Sequence, residues 1–286
     1  MADLWIQFLL TIDATLRVAT PLILCAMAGL FSERSGIIDI SLEGKMLMAA
    51  FAAGTLAALT GSALTGLAGA IAVSVLFSLV HGFACITHKG NQVISGLAIN
   101  ILASGLTVTL GIAIFAKGGQ TPMLGRDERF GAIDLPFAEA ANALPFIGPI
   151  YKEIISGHNI LVWVALAAVW ITSRVVFRTA FGLRLRAVGE KPEAVDTAGI
   201  SVSGLRYRAV IIAGILCGIA GAYLSIAHGA GFVREMTAGK GYIALAALIF
   251  GNWRPVPALA ACLMFGFLDA VAARLQGVEV PVIGQI

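Results

Sequence analysis

Long apolar stretches alternate with short polar segments along nearly the whole chain. A helix that crosses a bilayer needs about 20 mainly apolar residues. Seven stretches approach that length: 15–31, 46–59 (with a backward extension through Ile37), 64–86, 93–115, 159–177, 209–227 and 256–275. Residues 4–10 fit an interfacial helix, and the apolar run 243–250 is either a strongly assisted span or a re-entrant element. The pattern predicts an all-α, polytopic membrane helix bundle of about eight segments, within a range of about six to ten.

Residues 174–208 form a polar and basic island between two apolar stretches. Seven lysines and arginines lie there against three acidic residues. Short loops with such an excess are retained on the cytoplasmic side of a membrane, so residues 178–208 are predicted to form a cytoplasmic loop. Residues 117–158, rich in turn-forming glycine and proline, then fall on the external side. The fourth span begins on the inside near His88 and Lys89, in agreement with the same rule.

The basic loop contains the signals of a short helix of its own, at residues 192–198. Pro192 suits the first helical position, where its missing N–H costs nothing. Glu193 follows in the first turn, where it interacts favourably with the helix dipole, and Gly199 is placed to end the helix in a left-handed cap. A helix of about two turns is not stable alone. Two interpretations are open: a basic connector at the lipid surface, or a docking helix for a cytoplasmic partner.

The composition agrees with a membrane protein. Hydrophobic residues make up 59% of the 286 residues and charged residues 12%, whereas soluble globular chains carry about 25% charged residues. The net charge of +3 reflects the basic loop and does not indicate nucleic-acid binding. The cysteines and histidines are scattered without metal-ligand spacing, so no metal site is expected.

A polar segment, SGIIDISLEG, interrupts the apolar pattern at residues 35–44. It carries Asp39, Ser41 and Glu43 between apolar runs. Ionisable groups at membrane depth are costly and usually mark functional pathways. The flanking glycines would permit a broken helix, which is tolerated only where it is buried in protein or lines a cavity. The three residues are therefore candidates for a substrate pathway. The alternative is an ordinary cytoplasmic loop whose acids are solvated.

A second polar set lies in the fourth span. Gln92 and Asn100 are eight residues apart, so they lie near one face of a helix. Both are candidates for the same pathway. Hydrogen bonding between helices is an equally well supported interpretation.

One later span carries a face of small residues. Gly214 and Gly218 form a G-x-x-x-G pattern, and Gly221 follows one turn later. Small residues let helix backbones approach closely in lipid. The pattern predicts a tightly packed bundle.

The sequence contains no motif for nucleotide binding or hydrolysis. The Gly44-Lys45 and Gly239-Lys240 pairs lack both the earlier glycine and the following Ser or Thr of a phosphate-binding loop. No H-E-x-x-H or G-x-S-x-G sequence occurs. The chain is therefore expected neither to be an enzyme nor to carry a cofactor.

Three segments resemble ABC-importer permeases of the ribose, nucleoside and branched-chain amino-acid group: GLFSERSGIIDISLEGKMLMAAFAAG, FGLRLRAVGEKPEAVDTAGISVSGLRYR and GKGYIALAALIFGNWRPVPAL. The likeness spans nearly the whole chain, and SGIIDISLEG and GKGYIALAALIFGNW are most similar to the nucleoside and simple-sugar branch. The resemblance implies one transmembrane permease domain over residues 1–286, in a bacterial inner membrane, that forms the pathway for nucleosides or a simple sugar.

The resemblance also implies partners. Such permeases work as membrane dimers, often of two different permeases, with an ATPase beneath that binds ATP and Mg and a substrate-binding protein outside. The coupling segment of the family falls on residues 189–199, which favours the docking interpretation. The candidate coupling residues are Gly189, Glu190, Pro192, Ala194, Val195, Ala198 and Gly199. Related permeases usually carry a further apolar helix after the region that matches residues 277–286, whereas this sequence stops at VPVIGQI.

Two other function classes make different predictions. A secondary transporter or channel for a small polar solute would work without ATP or a partner, and the basic docking loop argues against it. An intramembrane enzyme would need a nucleophile with a base, or a metal constellation. The sequence offers neither.

Overall fold

A computed structural model describes residues 2–133, 156–276, 279–280 and 284–285. Ten α-helices lie in these residues: α1 Ala2–Arg34, α2 Leu42–Thr60, α3 Ala63–Gly82, α4 Gln92–Phe115, α5 Ile160–Arg178, α6 Ala180–Glu190, α7 Pro192–Thr197, α8 Val202–Tyr223, α9 Lys240–Phe250 and α10 Pro255–Leu275. The π-helical turns Phe83–Thr87 and Leu224–His228 continue α3 and α8. Two short antiparallel strand pairs join β1 Ala132–Ile133 to β2 His158–Asn159, and β3 Glu279–Val280 to β4 Gly284–Gln285.

Seven of the described helices are long and apolar enough to cross a membrane: α1, α2, α3, α4, α5, α8 and α10. In the most apolar windows of α1, α2 and α8, 72–78% of the residues are buried, against 22–39% in the other four. The first three helices therefore form the centre of the bundle, and the others surround them. With the short α9, these helices confirm the predicted polytopic membrane bundle of about eight segments.

Contacts between helix ends show how the spans are arranged. The guanidinium of Arg34, the last residue of α1, donates to the carbonyl of Trp253, which follows α9. A Cβ on Gly189 of α6 would lie 2.3 Å from the Arg34 carbonyl oxygen. At the far end of the bundle, Arg274 of α10 donates to the carbonyl of Gln7 near the start of α1. The end that holds α6 and α7 is called the basic end below, because the basic loop lies there.

The small-residue face of α8 packs as predicted. A Cβ on Gly214 would lie 2.9 Å from the Cα of Val75, and one on Gly218 would lie 2.7 Å from the Cα of Ile71. Both neighbours belong to α3, and Gly221 meets the backbone of α2 in the same way. The missing side chains let three helix backbones come into direct contact in the centre of the bundle.

The first helix differs from its prediction. The sequence predicts an interfacial helix at residues 4–10 and a separate span at 15–31, whereas α1 is continuous. The polar groups between the two parts are satisfied within the helix. The Thr15 hydroxyl donates to the carbonyl four residues earlier, and Arg17 Nε donates to Asp13 Oδ1 over 3.0 Å. These local bonds remove the reason for a break.

The predicted external loop is described only near its two ends. Residues 134–155, which include the turn signals at Pro136, Pro145 and Pro149, lie outside the described residues. The part that follows α4 contacts the segment after α8: Thr121 N donates to the carbonyl of Phe232. This contact places the start of the loop at the end of the bundle opposite the basic end.

Candidate transport and coupling site

A non-helical segment, residues 35–41, separates α1 from α2 and is called the break below. Gly36 ends α1 with a φ of +83°. Its N–H donates to the carbonyl of Glu33, and the N–H of Ile37 donates to the carbonyl of Ser32. This pair of bonds is a Schellman motif, which satisfies the last carbonyls of a helix and turns the chain away. The predicted extension of the second span back through Ile37 is therefore wrong.

The centre of the break is a buried ion pair. Lys45 Nζ lies 2.6 Å from Asp39 Oδ2, and the Ser41 hydroxyl donates to Asp39 Oδ1 over 2.5 Å. All three side chains are fully buried. Burial by itself raises the pKa of Asp39, but the Lys45 ammonium and these hydrogen bonds hold that pKa below its usual range. The arrangement joins the break to the first turn of α2 through a charge-assisted contact.

Gln92, the first residue of α4, holds the half of the break that follows α1. Its Oε1 accepts from the N–H of Ile38 over 2.7 Å, and its Nε2 donates to the carbonyl of Gly36 over 3.3 Å. A side-chain amide can satisfy both kinds of backbone group, and the break has no helical partner for either. Gln92 thus replaces the hydrogen bonds that a continuous helix would have made.

Asn100, two turns further along α4, does the same at the inner half of the break. Its Oδ1 accepts from the N–H of Gly44 over 2.8 Å, and its Nδ2 donates to the carbonyl of Ile40 over 3.0 Å and to the hydroxyl of Tyr242 over 2.8 Å. A Cβ on Gly44 would lie 2.8 Å from the Cα of Asn100. The two amides on one face of α4 therefore bind the break, and their place in a pathway stays a prediction.

Glu43 holds the start of the short helix α9. Its Oε1 accepts from the N–H of Gly239 over 2.9 Å, and its Oε2 accepts from the N–H of Gly241 over 2.6 Å. The first N–H groups of a helix have no intrahelical partner, and the helix dipole favours negative charge there. The carboxylate supplies both the hydrogen bonds and the charge. It thereby connects the first turn of α2 to α9.

Residues 229–250 cross the bundle in two parts: an irregular stretch, residues 229–239, and then the helix α9. Residues 229–239 begin beside the segment that follows α4, where Leu124 N donates to the carbonyl of Ala230. They reach Glu43 inside the bundle, and α9 then runs to the basic end at Trp253. The helix is about 16 Å long, roughly half of an apolar membrane core. The sequence predicts residues 243–250 to be either an assisted span or a re-entrant element. Because the segment enters at one end of the bundle and leaves at the other, it is the assisted span.

Four polar residues form a surface beside this junction, called the polar face below: Asn100, Ser104, Glu235 and Tyr242. The ring of Tyr242 is 43% exposed, and the Ser104 hydroxyl donates to Glu235 Oε1 over 2.5 Å. Glu235 is exposed and has a φ of +54°, which is unusual for a residue with a side chain. Exposed polar groups and a strained backbone at this position are typical of a functional surface.

Lys45, Ser104, Glu235 and Tyr242 were not identified as site residues from the sequence. Lys45 drew attention only as half of a failed phosphate-loop pattern, and its distance of six residues from Asp39 is not one of the helical pair spacings. The other three lie far from the break in the sequence. The described residues contain no group of three or more His, Cys, Asp or Glu that could hold a metal ion.

The predicted docking helix is present as α7 at the basic end. It begins at Pro192 and ends one residue before the predicted end, and Gly199 follows with a φ of +75°. Val195 packs into a small core formed with α6 and α8, with 6% of its surface exposed. Ala194 and Ala198 are exposed and line a cavity of about 460 Å³ between α6 and α7, together with Glu190 and Lys191.

Gly189 is exposed on one side and contacts the end of α1 and the break on the other. A Cβ at this position would lie 2.3 Å from the carbonyl oxygen of Arg34, and the Cα of Gly189 lies against Gly36. Arg206, at the start of α8, also donates from Nε to the carbonyl of Ser35 over 3.2 Å. The two helices that flank α7, α6 and α8, therefore both contact the junction between α1 and the break.

Comparisons with known proteins agree with this arrangement. A family model described as the branched-chain amino acid transport system / permease component matches residues 11–282. The chain is 39% identical to the guanosine ABC transporter permease protein NupQ of Bacillus subtilis, over 91% of this chain and 81% of that protein.

Two further relatives are each 36% identical over 94% of this chain. They are the nucleoside ABC transporter permease protein NupC of Lactococcus lactis subsp. cremoris, of which 83% is covered, and the putative glucose ABC transporter permease protein TsgC13 of Haloferax volcanii, of which 78% is covered. No solved structure matches the chain. The chain therefore belongs to this family of ABC-transporter permeases, and it is a multi-pass membrane protein whose place in bacteria is the inner membrane.

Proposed function

We propose that this chain forms part of the translocation pathway of an ATP-driven importer for nucleosides. Relatives named for guanosine and nucleoside transport, at 39% and 36% identity, support the substrate class. The chain itself hydrolyses no ATP. A separate cytoplasmic ATPase binds ATP and Mg, a second permease completes the membrane dimer, and a binding protein delivers substrate from outside.

The contact between Gly189 and the break is the observation that supports coupling most directly. Positive charge assigns the basic end to the cytoplasm. An ATPase that docks there against Ala194 and Ala198 pushes on α6 and α7. A Cβ on Gly189 would collide with the Arg34 carbonyl, so the backbone of α6 lies directly against the end of α1, and a push on α6 toward the break displaces the Gly36 cap. A packed contact of this kind passes a displacement on rather than absorbing it.

The break leads from this contact to the polar face. The first turn of α2, directly after the break, carries Glu43, which holds α9. Asn100 of α4 binds Ile40 at the end of the break and also holds Gly44 and Tyr242. Displacement of the break moves Glu43 and so alters its hydrogen bonds to the start of α9. The distances between the residues of the polar face change as a result. Glu43 and Asn100 are thus proposed as the pathway residues that respond to the ATPase. Asp39, Ser41 and Gln92 keep the break in shape.

Crosslinking tests the docking surface. Ala194→Cys and Ala198→Cys, in a chain without its native cysteines, should each crosslink to a cysteine in the ATPase groove of the assembled complex. Val188→Cys on α6 is the control, because Val188 is fully buried in the small core beneath α7 and does not line the groove, so it should stay unlinked. Absence of crosslinks at every exposed position from Glu190 to Gly199 would overturn the docking assignment.

Uptake measurements test the substrate class. Cells that express the chain with its neighbouring transporter genes should accumulate labelled guanosine, and excess unlabelled nucleoside should compete while glucose should not. Competition by glucose alone would favour the second candidate, a simple sugar, which the TsgC13 match supports. Accumulation that persists when the ATPase gene is deleted would instead indicate a secondary transporter or channel.

A further inference from the structure

A cavity of about 450 Å³ lies at the basic end, where α5 and α6 meet the start of α10. Its lining includes Ser173, Phe177, Arg186, Arg254, Pro255 and Val256. It is separate from the groove between α6 and α7 and from the polar face. The proposed transport pathway makes no use of it.

Arg186 and Arg254 line this cavity, and Arg34 lies beside it, over the ring of Phe177. The guanidinium carbons of Arg34 and Arg186 lie 5.7 Å and 5.2 Å from the centroid of the Phe177 ring. Arg34 is also close enough to Arg186 and Arg254 to be repelled by both, while Glu190 attracts it. The N-terminus of α10, which begins directly after Arg254, adds positive dipole potential.

No described carboxylate forms an ion pair with any of these three arginines. The Nε of Arg186 is buried and has no hydrogen-bond partner among the described residues. Clustered guanidinium groups with no ion-paired carboxylate, and with a buried N–H left without a partner, are costly. The arrangement is therefore complementary to a phosphate group, which guanidinium groups bind in pairs of hydrogen bonds.

The surfaces beside the cavity are apolar and face outward. Trp170 and Ile171 of α5 are 62% and 51% exposed, and Val256 of α10 is 63% exposed. Arg174 lies over the Trp170 ring at 5.1 Å, a pairing typical of the boundary between lipid tails and headgroups. A ligand in this cavity thus meets positive charge on one side and apolar surface on the other. This combination fits a phospholipid better than a free anion.

We propose that the cavity binds the phosphate of an anionic phospholipid of the cytoplasmic leaflet, between Arg186 and Arg254, with its acyl chains along α5 and α10. Basic pockets between transmembrane helices on this side commonly hold anionic lipid headgroups. The proposal depends on the orientation of the chain in the membrane and not on the identity of the transported substrate.

Native mass spectrometry of the full chain, purified in detergent and incubated with dioleoyl phosphatidylglycerol, gives the test. The wild type should retain this lipid and release dioleoyl phosphatidylcholine. Arg186→Gln with Arg254→Gln should lower retention about 25-fold, since each cationic side chain near a membrane surface contributes about fivefold. Arg178→Gln, which removes an exposed charge from the last turn of α5, is the control and should change retention less than about twofold.

Charge-preserving variants separate binding from folding. Arg186→Lys with Arg254→Lys should retain the lipid within about threefold of the wild type, because the charges remain. Equal retention by the wild type and the double Gln variant, or an equal loss in Arg178→Gln, would overturn the proposal. Release of phosphatidylglycerol by millimolar inorganic phosphate would also overturn it, since the site would then be one for a free anion.

Discussion

Asp39 and Glu43 lie one helical turn apart in the sequence and are used in opposite ways. Asp39 is fully buried and bound to Lys45 and Ser41, all within the break and the first turn of α2. Glu43 reaches across to another part of the chain and accepts two backbone N–H groups, from Gly239 and Gly241. The first carboxylate joins neighbours in sequence, whereas the second joins two separate membrane segments.

This difference gives the two carboxylates different roles: Asp39 fixes the geometry of the break, and Glu43 forms a contact that can change during transport. A dry ion pair between neighbouring residues fixes the geometry of the break, and breaking it leaves a buried charge with no partner. A carboxylate that accepts the first N–H groups of the half-helix α9 can release these hydrogen bonds without exposing a charge to lipid, because the polar face lies beside it. We therefore expect damage at Asp39 to appear in stability and damage at Glu43 to appear in transport.

The largest effect is expected from breaking the ion pair on one side. Lys45→Met leaves Asp39 buried without its partner and should lower the free energy of unfolding by about 3–5 kcal/mol. The midpoint of thermal unfolding of the purified chain in detergent measures this loss. Asp39→Asn combined with Lys45→Met removes both charges and should recover most of it, since buried pairs are often replaced at little cost. A double variant no more stable than Lys45→Met would contradict the assignment of a structural pair.

A smaller effect is expected where the coupling elements meet the break. Gly189→Ala places a Cβ 2.3 Å from the Arg34 carbonyl oxygen, and such overpacking costs about 1–3 kcal/mol. Stimulation of the ATPase by substrate should fall more than the amount of folded complex does. Gly105→Ala on α4, where a Cβ would meet nothing within 4 Å, is the matched control. Normal stimulation in Gly189→Ala would show that the contact does not transmit motion.

The smallest effect is expected from a change of pH on the stabilisation that the Asp39–Lys45 pair provides. The pKa of Asp39 is lower in the folded chain than its unfolded value of about 3.9. Its stabilising contribution is therefore complete above that value and is lost as pH falls through the folded pKa. The stability difference between the wild type and Asp39→Asn with Lys45→Met should be constant from pH 8 to pH 5. A difference that changes near pH 6 would show that Asp39 is not held in its charged form by Lys45.

The sequence predicts the helices well because lipid imposes a simple rule. Every long apolar run must satisfy its own backbone, so length and hydrophobicity identify spans such as α4 and α10 to within one residue. The predicted helix ends are wrong where local hydrogen bonds, rather than the length of the apolar run, decide where a helix begins or ends. The start of α1 is one example, since its polar residues bond within the helix, and the start of α2 is another, since the Gly36 cap stops a helix that apolarity alone would extend.

The partners of the polar residues could not be predicted. The sequence identifies Asp39, Glu43, Gln92 and Asn100 as polar groups in apolar surroundings, but not what they contact. Glu43 meets Gly241 almost 200 positions away, and a backbone N–H carries no signal in the sequence. The Asp39–Lys45 pair is close in sequence, but it forms only because the non-helical break turns the chain, and its six-residue spacing is not a helical pair spacing.

The contrast between the two carboxylates is tested most directly by measuring nucleoside uptake per amount of folded complex in two variants. Glu43→Gln keeps the shape of the side chain and removes the charge that holds α9. It should fold nearly as well as the wild type and lose about tenfold in uptake, which corresponds to about 1.4 kcal/mol. Asp39→Asn with Lys45→Met should retain uptake within about twofold. The opposite result, with normal uptake in Glu43→Gln and loss in the double variant at equal folding, would place the moving contact at Asp39 and contradict this account.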